Sequence, residues 1–396
     1  MSVLVIKPTG NALNPFAGAE TRIWILNSAL VKKKFQLSIL HSINSLGFED
    51  KNLRKKCFVH YYKDLKLLGM SDWYFTDFNL FFVFKLFKII RKQKFDIIQL
   101  ERPWGFLILK LLAKKKTFLI YDSQLVEGEY INTVIKEQNS PKILRPLMKL
   151  FAKIYEKLVV KLASVVVVLS EHDRNYYVKN FKIKKNKTIL IQTPSAINPQ
   201  SQFESNLLKN ECRKKLGLPL DKTIAIFHGG FSHHPNKEAA DLIQNYIAQK
   251  INNPDIMFVL AGHNIEKFKN GNVISLGFVE DLKDLLFSAD FAVVPIITGG
   301  GMRTKCMDYI VTGLPFIITK IGIKGIDFLE EGKDYLAYDE VNHEFLKGIN
   351  MLHNNKEMRQ QIHQNLLKKS KIFNRSIFEN QFLKLFSKLI NHRTEI

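Results

Sequence analysis

The stretch PIITGGGMRTKCMDYIVTGLPFIIT (residues 295–319) runs from the end of one apolar segment, through three consecutive glycines and a helical pattern, into a second apolar segment. The segments FAVVPI (Phe291–Ile296) and PFIIT (Pro315–Thr319) read as buried strands, and a helix is predicted to begin near Met302. Glycine in a strand-to-helix turn lets the backbone approach a ligand closely, and the N–H groups at a helix start favour an anion. The stretch therefore predicts a strand–turn–helix unit of a parallel sheet with a phosphate site at its turn.

Two cations stand at the start of this helix. Arg303 and Lys305 are unfavourable near a helix N-terminus unless something negative is bound there. Asp308, about one turn further on, is placed to accept hydrogen bonds from ribose hydroxyls. The residues predicted to bind the ligand at this turn are Gly299, Gly300, Gly301, Met302 and Asp308. The alternative is an ordinary turn with solvated basic side chains.

Two further glycine turns add to this prediction. In FHGGFSHHPN (residues 227–236), Gly229 and Gly230 follow a strand and precede a helix, where nucleotide phosphates bind in Rossmann-like domains. The turn lacks the GxGxxG pattern, and two adjacent histidines do not suit one metal ion, so no metal site is predicted. Near the start of the chain, Gly18 lies between a predicted strand and a predicted helix. It either contacts the same ligand or simply allows the chain to reverse direction.

The rest of the chain alternates short apolar runs with helical patterns, which is typical of doubly wound α/β domains. We predict an N-terminal Rossmann-like domain (residues 1–195), a linker (196–206), a C-terminal Rossmann-like domain (207–372) and a final helix packing on the N-terminal domain (373–396). Twelve strands are predicted: Val3–Lys7, Phe35–Ser42, Cys57–Tyr62, Phe95–Leu100, Phe118–Asp122, Ser164–Ser170, Thr188–Thr193, Thr223–Phe227, Met257–Gly262, Asn272–Phe278, Phe291–Ile296 and Pro315–Thr319.

Composition excludes several classes of protein. The 396 residues are 46% hydrophobic and 24% charged, which is typical of globular domains and not of disordered chains. The three cysteines are far apart in the sequence, which is consistent with a reducing cytoplasm and argues against a disulfide scaffold or a zinc site. The longest apolar runs are shorter than a membrane-spanning helix and are interrupted by lysine, so we expect no transmembrane segment. The first residues, MSVLVIKPTGN, have no basic stretch ahead of an apolar segment, so we expect no signal peptide.

The net charge of +22 is concentrated in the first half of the chain. Residues 1–200 contain 34 Lys and Arg against 15 Asp and Glu, a balance of +19, which leaves +3 for the remainder. One predicted helix carries a basic stripe at four-residue spacing, formed by Arg145, Lys149, Lys153, Lys157 and Lys161. This stripe is predicted to face an anionic membrane surface; the alternative is a set of solvated helix faces.

With these motifs the chain resembles the group 1 glycosyltransferases (family 4), which have the GT-B architecture: α/β, with two Rossmann-like doubly wound domains facing a central cleft. The match runs in order along nearly the whole chain. It rests on AGAE (17–20), DSQLVE (122–127), LSEHD (169–173), GFSHHPNKEA (230–239), VISLGFVEDL (273–282) and GGGMRTKCMDYIVTGLP (299–315).

The resemblance implies that residues 1–195 form the acceptor domain and residues 207–372 the nucleotide-sugar donor domain. It also implies roles for individual residues. Arg303 and Lys305 would bind the donor diphosphate, Asp308 the ribose, and the loop at Val279 the nucleobase. Gln124 stands where the family has a histidine that approaches the reacting sugar. Gly300 and Asp308 replace glutamates of the family pattern, which leaves the identity of the donor sugar open.

The predicted function is transfer of a hexose from a UDP- or GDP-sugar to a glycan or lipid-linked acceptor. The resemblance implies retention of configuration, and we expect neither a cofactor nor a metal, because the chain lacks a metal-binding DxD triplet. The expected location is cytoplasmic, peripheral on the inner face of the membrane, with no specific nucleic-acid partner. The alternatives are a nucleotide-sugar epimerase of GT-B build and a basic, non-catalytic protein that binds nucleic acid or membrane.

Overall fold

The computed structural model describes residues 1–8, 10–14, 18–43, 49–64, 76–137, 142–195, 197 and 206–391. The chain divides into two compact units. Unit 1 comprises Met1–Ala196, Gly300–Met302 and Arg375–Ile396, and unit 2 comprises Ile197–Gly299 and Arg303–Asn374. Most of the predicted linker, residues 196 and 198–205, lies outside the described residues.

Unit 1 is built on a seven-stranded, wholly parallel sheet with the strand order β3-β2-β1-β4-β5-β6-β7. Its strands are β1 (Ser2–Lys7), β2 (Gln36–Ser42), β3 (Phe58–Tyr62), β4 (Ile97–Glu101), β5 (Phe118–Asp122), β6 (Val165–Val168) and β7 (Thr188–Leu190). Its helices are α1 (Gly18–Lys32), α2 (Lys51–Arg54), α3 (Leu80–Lys92), α4 (Phe106–Leu112), α5 (Glu127–Glu137), α6 (Arg145–Leu162), α7 (Glu171–Phe181) and, from the end of the chain, α16 (Arg375–Asn391).

Both faces of this sheet are buried, which explains why its strands read as continuous apolar runs. In β1, Leu4 and Ile6 point into a core shared with α3, α4 and α6, whereas Val3 and Val5 point into a core shared with α1 and α16. The C-terminal helix α16 therefore belongs to the core of unit 1.

Unit 2 repeats this plan with the strand order β10-β11-β9-β8-β12-β13-β14, in which only the β10–β11 pair is antiparallel. Its strands are β8 (Thr223–His228), β9 (Ile256–Ala261), β10 (Phe268–Asn270), β11 (Val273–Ser275), β12 (Phe291–Val294), β13 (Phe316–Thr319) and β14 (Leu336–Tyr338). Its helices are α8 (Asn206–Leu216), α9 (His234–Leu242), α10 (Ala248–Ile251), α11 (Leu282–Ser288), α12 (Thr304–Thr312), α13 (Lys320–Ile323), α14 (His343–Asn354) and α15 (Lys356–Ser370).

The two sheets with helices on their faces confirm the predicted α/β class with two doubly wound domains. All twelve predicted strands overlap strands of the structure. Helix α12 begins at Thr304, two residues after the predicted start at Met302, because Arg303 has an extended backbone with a φ of −81° and a ψ of 99° and forms the N-cap. Among the described residues no helix is long and apolar enough to cross a membrane.

Candidate donor-binding site

The candidate site lies in unit 2, at the carboxyl ends of β8 and β12. From β8 the chain extends the sheet to one side through β9 and β11, and from β12 it extends to the other side through β13 and β14. The neighbouring pair β8 and β12 is therefore the point at which the strand order reverses. Ligands of open α/β sheets bind in the crevice at such a point.

The first glycine turn follows β8, and Asn236 in the first turn of α9 fixes it. The Asn236 amide nitrogen donates to the carbonyl oxygen of Gly230 at 2.8 Å. A Cβ on Gly229 would lie 2.9 Å from that amide nitrogen and 3.3 Å from the Lys305 ammonium. Only glycine at position 229 leaves room for these two polar groups.

Lys305, in the first turn of α12, lies against this glycine turn. Its ammonium donates to Asn236 Oδ1 at 2.8 Å and lies 3.7 Å from the centroid of the Phe227 ring. The residue is only 8% exposed, and no carboxylate of the described residues lies within ion-pair distance. Burial lowers the pKa of Lys305 to about 7, and the neighbouring Arg303 acts in the same direction. An anionic ligand would therefore stabilise the charged form of this buried side chain.

Arg303 occupies the N-cap position of α12, and its guanidinium is directed back over the second glycine turn. Its Nη2 donates to the Thr298 carbonyl oxygen at 3.1 Å. A Cβ on Gly299 would lie 2.9 Å from the Pro235 ring and 3.0 Å from Arg303 Nη2, so this turn also requires glycine. The hydroxyl of Thr298 donates to Glu238 of α9 at 2.6 Å, which joins the two turns.

Asp308, the predicted ribose ligand, takes part in a buried pairing. One carboxylate oxygen lies 3.4 Å from Nε2 of His228, the last residue of β8, and Nδ1 of His228 lies 3.1 Å from the Tyr309 hydroxyl. Burial lowers the pKa of His228, while Asp308 acts in the opposite direction. His228 and Tyr309 thereby orient Asp308 at the carboxyl edge of the sheet.

The predicted nucleobase loop follows β11 at the same edge. The N–H of Gly262, after β9, donates to the Gly277 carbonyl oxygen at 2.8 Å and so ties this loop to the neighbouring strand. Phe278 is half exposed, and its ring centroid lies 4.3 Å from that of His263. Val279 is half-buried next to it. An aromatic ring and backbone groups are the partners that a planar base requires.

In unit 1, Gln124 is the second residue after β5 and lies next to a buried polar network. Asp122 pairs with Arg22 at 3.0 Å and accepts from Gln99 at 2.8 Å, and the Ser123 hydroxyl lies 2.7 Å from the Tyr177 hydroxyl. Gln124 itself is buried, and its amide nitrogen has no hydrogen-bond partner among the described residues. A buried donor without a partner is costly, so this amide is suited to bind a ligand oxygen.

The remaining predicted residues lie as follows. Gly18 is the first residue of α1, and Gly300, Gly301 and Met302 form the irregular segment before Arg303 and group with unit 1. In the basic stripe of α6, Lys149, Lys153 and Lys161 are exposed, whereas Arg145 and Lys157 are half-buried. Within the described part of the chain, no group of three or more His, Cys, Asp or Glu side chains is arranged to hold a metal ion.

Sequence reasoning missed Asn236, His228 and Phe227 as site residues. Asn236 carries a local signal, because an amide directly after the helix-starting Pro235 can reach back to the glycine turn. His228 carries none, since its partners Asp308 and Tyr309 are some 80 positions away in the chain.

Two seven-stranded α/β sheets of this order, each with helices on its faces, are the architecture of the GT-B class. A family model described as "Glycosyl transferases group 1" matches residues 222–355, and one described as "Glycosyltransferase Family 4" matches residues 16–194. The chain belongs to the group 1 (family 4) glycosyltransferases.

Solved structures share the fold at low sequence identity. Sucrose-phosphate synthase from Thermosynechococcus elongatus is 16% identical with a TM-score of 0.76, covering 99% of both chains. The Anabaena protein HepE in complex with UDP-glucose is 14% identical with a TM-score of 0.68, covering 98% of this chain and 100% of that one. WaaG, a glycosyltransferase involved in lipopolysaccharide biosynthesis, is 10% identical with a TM-score of 0.69, covering 98% and 99%.

One curated relative matches this chain over only part of its own length. The chitobiosyldiphosphodolichol beta-mannosyltransferase of Candida albicans is 20% identical over 257 residues, which is 60% of this chain. The matched region spans 55% of that relative, about half its length.

Proposed function

We propose that this glycosyltransferase moves a hexose from a UDP- or GDP-sugar to a glycan or lipid-linked acceptor, with retention of configuration and without a metal ion. The observation that carries the donor half of this proposal is Lys305. It is a buried ammonium without a carboxylate partner among the described residues, at the strand-order reversal of unit 2. A nucleoside diphosphate supplies the negative charge that this position lacks.

The chemistry follows from where charge develops. As the glycosidic bond breaks, the leaving diphosphate gains negative charge, which fixed positive groups stabilise without reorganisation. Lys305 and the Arg303 guanidinium supply that charge, together with the N–H groups at the start of α12. Asp308, held by His228, accepts hydrogen bonds from the ribose hydroxyls, and the Phe278 ring packs on the base.

The acceptor half rests on different support. The fungal relative is named for a dolichol-linked substrate, and WaaG for lipopolysaccharide biosynthesis. Two named donor complexes among the structural neighbours contain UDP or UDP-glucose. We therefore propose a sugar attached to a lipid carrier as the acceptor and UDP-hexose as the first donor to test, followed by GDP-mannose.

The donor site is tested with Arg303→Ala and Lys305→Ala. A thermal-shift screen of UDP-, GDP- and dTDP-sugars identifies the donor, and its hydrolysis or transfer is then measured. Each variant is expected to lower turnover by at least ~100-fold, as loss of one charge-stabilising group typically does. Lys347→Ala, which removes an exposed lysine of the same unit, serves as the control and should leave turnover unchanged. Wild-type turnover in both site variants would remove the diphosphate assignment.

The role of Gln124 has its own test. Gln124→Ala should lower kcat by ~10- to 100-fold with little change in donor KM, as expected for a hydrogen bond that strengthens in the transition state. Gln124→His restores the family residue and should retain activity. The anomeric proton coupling of the product then reports retention or inversion directly. An unchanged kcat in Gln124→Ala would exclude this residue from the reaction.

A further inference from the structure

Helix α6 presents a second apolar face, which the core of unit 1 does not cover. Its buried face includes Met148, Ala152 and Val159. A separate row of exposed apolar side chains recurs every three or four residues: Leu147, Leu150, Phe151, Ile154, Leu158 and Leu162. That spacing places them along one stripe of the helix. The stripe is continued at its start by Ile143 and Leu144, both exposed.

Helix α3 carries a similar exposed stripe. Phe82, Leu86 and Ile89 are buried, while Leu80, Phe81, Phe84 and Phe87 are exposed, Phe84 by 62%. Phe78, just before the helix, is 70% exposed. Soluble proteins rarely expose so many large aromatic side chains close together without a partner.

The two stripes lie on the same side of the sheet, because α3, α4 and α6 all pack on one core. A single carboxylate also joins these elements. Asp77, next to Phe78, accepts from the Tyr155 hydroxyl of α6 and from the N–H groups of Gly105 and Ile108 at the start of α4. The ring of Trp104 stacks on Phe151 and Tyr155. Between α3 and α6, α4 adds Leu111, which is 79% exposed. We call this set of exposed apolar residues the α3–α6 surface.

Cations border the α3–α6 surface. On α6, the exposed Lys149, Lys153 and Lys161 each directly precede a residue of the apolar stripe, which places them about 100° around the helix from it. On α3, Lys85 directly follows Phe84 and Lys88 directly follows Phe87. The Arg91 guanidinium lies 5.2 Å from the Phe87 ring centroid. The border therefore carries the positive charge that dominates the first half of the sequence.

We propose that the α3–α6 surface binds an anionic lipid bilayer, with its apolar stripes in the headgroup–acyl boundary and its lysines on the lipid phosphates. A bilayer interface offers both an apolar layer and a negative one in the order that this surface requires. A second copy of the chain would place like charges against each other. A nucleic acid would leave the aliphatic stripe of α6 exposed to water.

Vesicle flotation tests the proposal with the whole chain and needs neither donor nor acceptor, so its outcome is independent of the proposed transfer reaction. Wild type is expected to float with phosphatidylglycerol vesicles and to bind phosphatidylcholine vesicles weakly. Leu147→Ser/Leu150→Ser/Ile154→Ser and Phe81→Ser/Phe84→Ser should each lower the partition coefficient at least ~10-fold. Lys149→Glu/Lys153→Glu/Lys161→Glu should lower it on the order of 100-fold and flatten its dependence on salt.

Matched controls come from unit 2. Leu220→Ser/Met351→Ser/Ile372→Ser removes three exposed apolar side chains, and Lys250→Glu/Lys333→Glu/Lys347→Glu makes the same change in net charge. Both should bind like wild type. Absence of wild-type binding to anionic vesicles, or equal losses in the controls, would overturn the proposal. So would conversion of a dimer to a monomer by the surface variants with vesicle binding intact, which would assign the surface to a second copy.

A conservative reporter covers the case in which a multiple variant does not fold. Phe84→Trp keeps an aromatic side chain at the surface, and Met351→Trp places one in unit 2. Brominated lipid chains are expected to quench the indole fluorescence added at position 84 and not that added at position 351. Equal quenching of the two, or none, would contradict insertion of α3.

Discussion

At the scale of single residues, Lys305 is the unusual member of the site. Burying an ammonium without a counter-ion is unfavourable, and its contacts with Asn236 and the Phe227 ring offset only part of the cost. Such a residue destabilises the unliganded protein and is expected to recover that free energy on binding an anion. Two measurable consequences follow from the direction of its pKa shift.

The first consequence is a pH-dependent stability. The pKa of Lys305 is lowered from 10.5 to about 7 in the folded protein, so between these values the unfolded state binds more protons. The destabilising contribution of Lys305 to the unliganded protein should therefore diminish as the pH rises across this window. Lys305→Met should be more stable than wild type near pH 7, and this advantage should shrink by pH 10. Denaturation followed by circular dichroism at both pH values measures it; a difference independent of pH would contradict the shift.

The second consequence is proton uptake on nucleotide binding. At pH 8 Lys305 is largely neutral without ligand, and a bound diphosphate raises its pKa. Binding should then take up about one proton per site. Calorimetric titration with UDP or GDP in buffers of different ionisation enthalpy gives this number. Arg303→Ala should weaken binding and keep the uptake, since the titrating ammonium remains; uptake near zero in wild type would place the diphosphate elsewhere.

At the scale of elements, the strands and glycine turns could be predicted from the sequence because their signals are local. The strands β10 and β14, of three residues each, were missed. The equally short β7 and β11 were predicted because each lies within a longer apolar pattern, Thr188–Thr193 and Asn272–Phe278. The π-helical turn at Ile243–Ile247, which interrupts the predicted helix from Pro235 to Ile251, has no sequence signal. The pairing of Asp308 with His228 depends on the packing of α12 against β8, which no pattern along the chain specifies.

Gly299, in the turn after β12, leaves room for the Arg303 guanidinium. Gly299 has a φ of 99°, and an added Cβ would lie 2.9 Å from Pro235 and 3.0 Å from Arg303. Gly299→Ala should therefore displace the guanidinium, weaken nucleotide binding ~10-fold or more, and lower the free energy of unfolding by about 1–3 kcal/mol.

Gly332→Ala is the matched control for this change. Gly332 has a similar φ of 80°, but a Cβ there would meet no atom within 4 Å. The control should share the backbone strain and leave nucleotide affinity unchanged. Titration of both variants with the donor nucleotide makes the comparison, and an equal loss of affinity would show that strain alone, and not the position of Arg303, is responsible.

For the fold of the entire chain, the alternation of short apolar runs with helical patterns predicted two doubly wound domains. Motif order, more than turn chemistry, made the nucleotide-sugar prediction specific. The strand orders could not be read from the pattern, because alternation indicates parallel strands without saying which are neighbours. The apolar stripe of α6 was also missed. Its residues lie beside the lysines of the predicted basic stripe, and only the fold shows which side of the helix the core covers.

Helix α16 packs into the core of unit 1, although it follows unit 2 along the chain. Phe382 is fully buried in the core beneath the sheet, and its ring lies 5.2 Å from the guanidinium of Arg22, the partner of Asp122. Phe382→Ala should lower the free energy of unfolding of unit 1 by about 3–5 kcal/mol, through the lost apolar contacts and the cavity left behind. All three tryptophans of the sequence, at positions 24, 73 and 104, fall within unit 1. Urea unfolding followed by their fluorescence therefore reports this unit alone. Gln381→Ala, exposed on the same helix, should match wild type, and an unchanged midpoint in Phe382→Ala would mean that α16 does not stabilise unit 1.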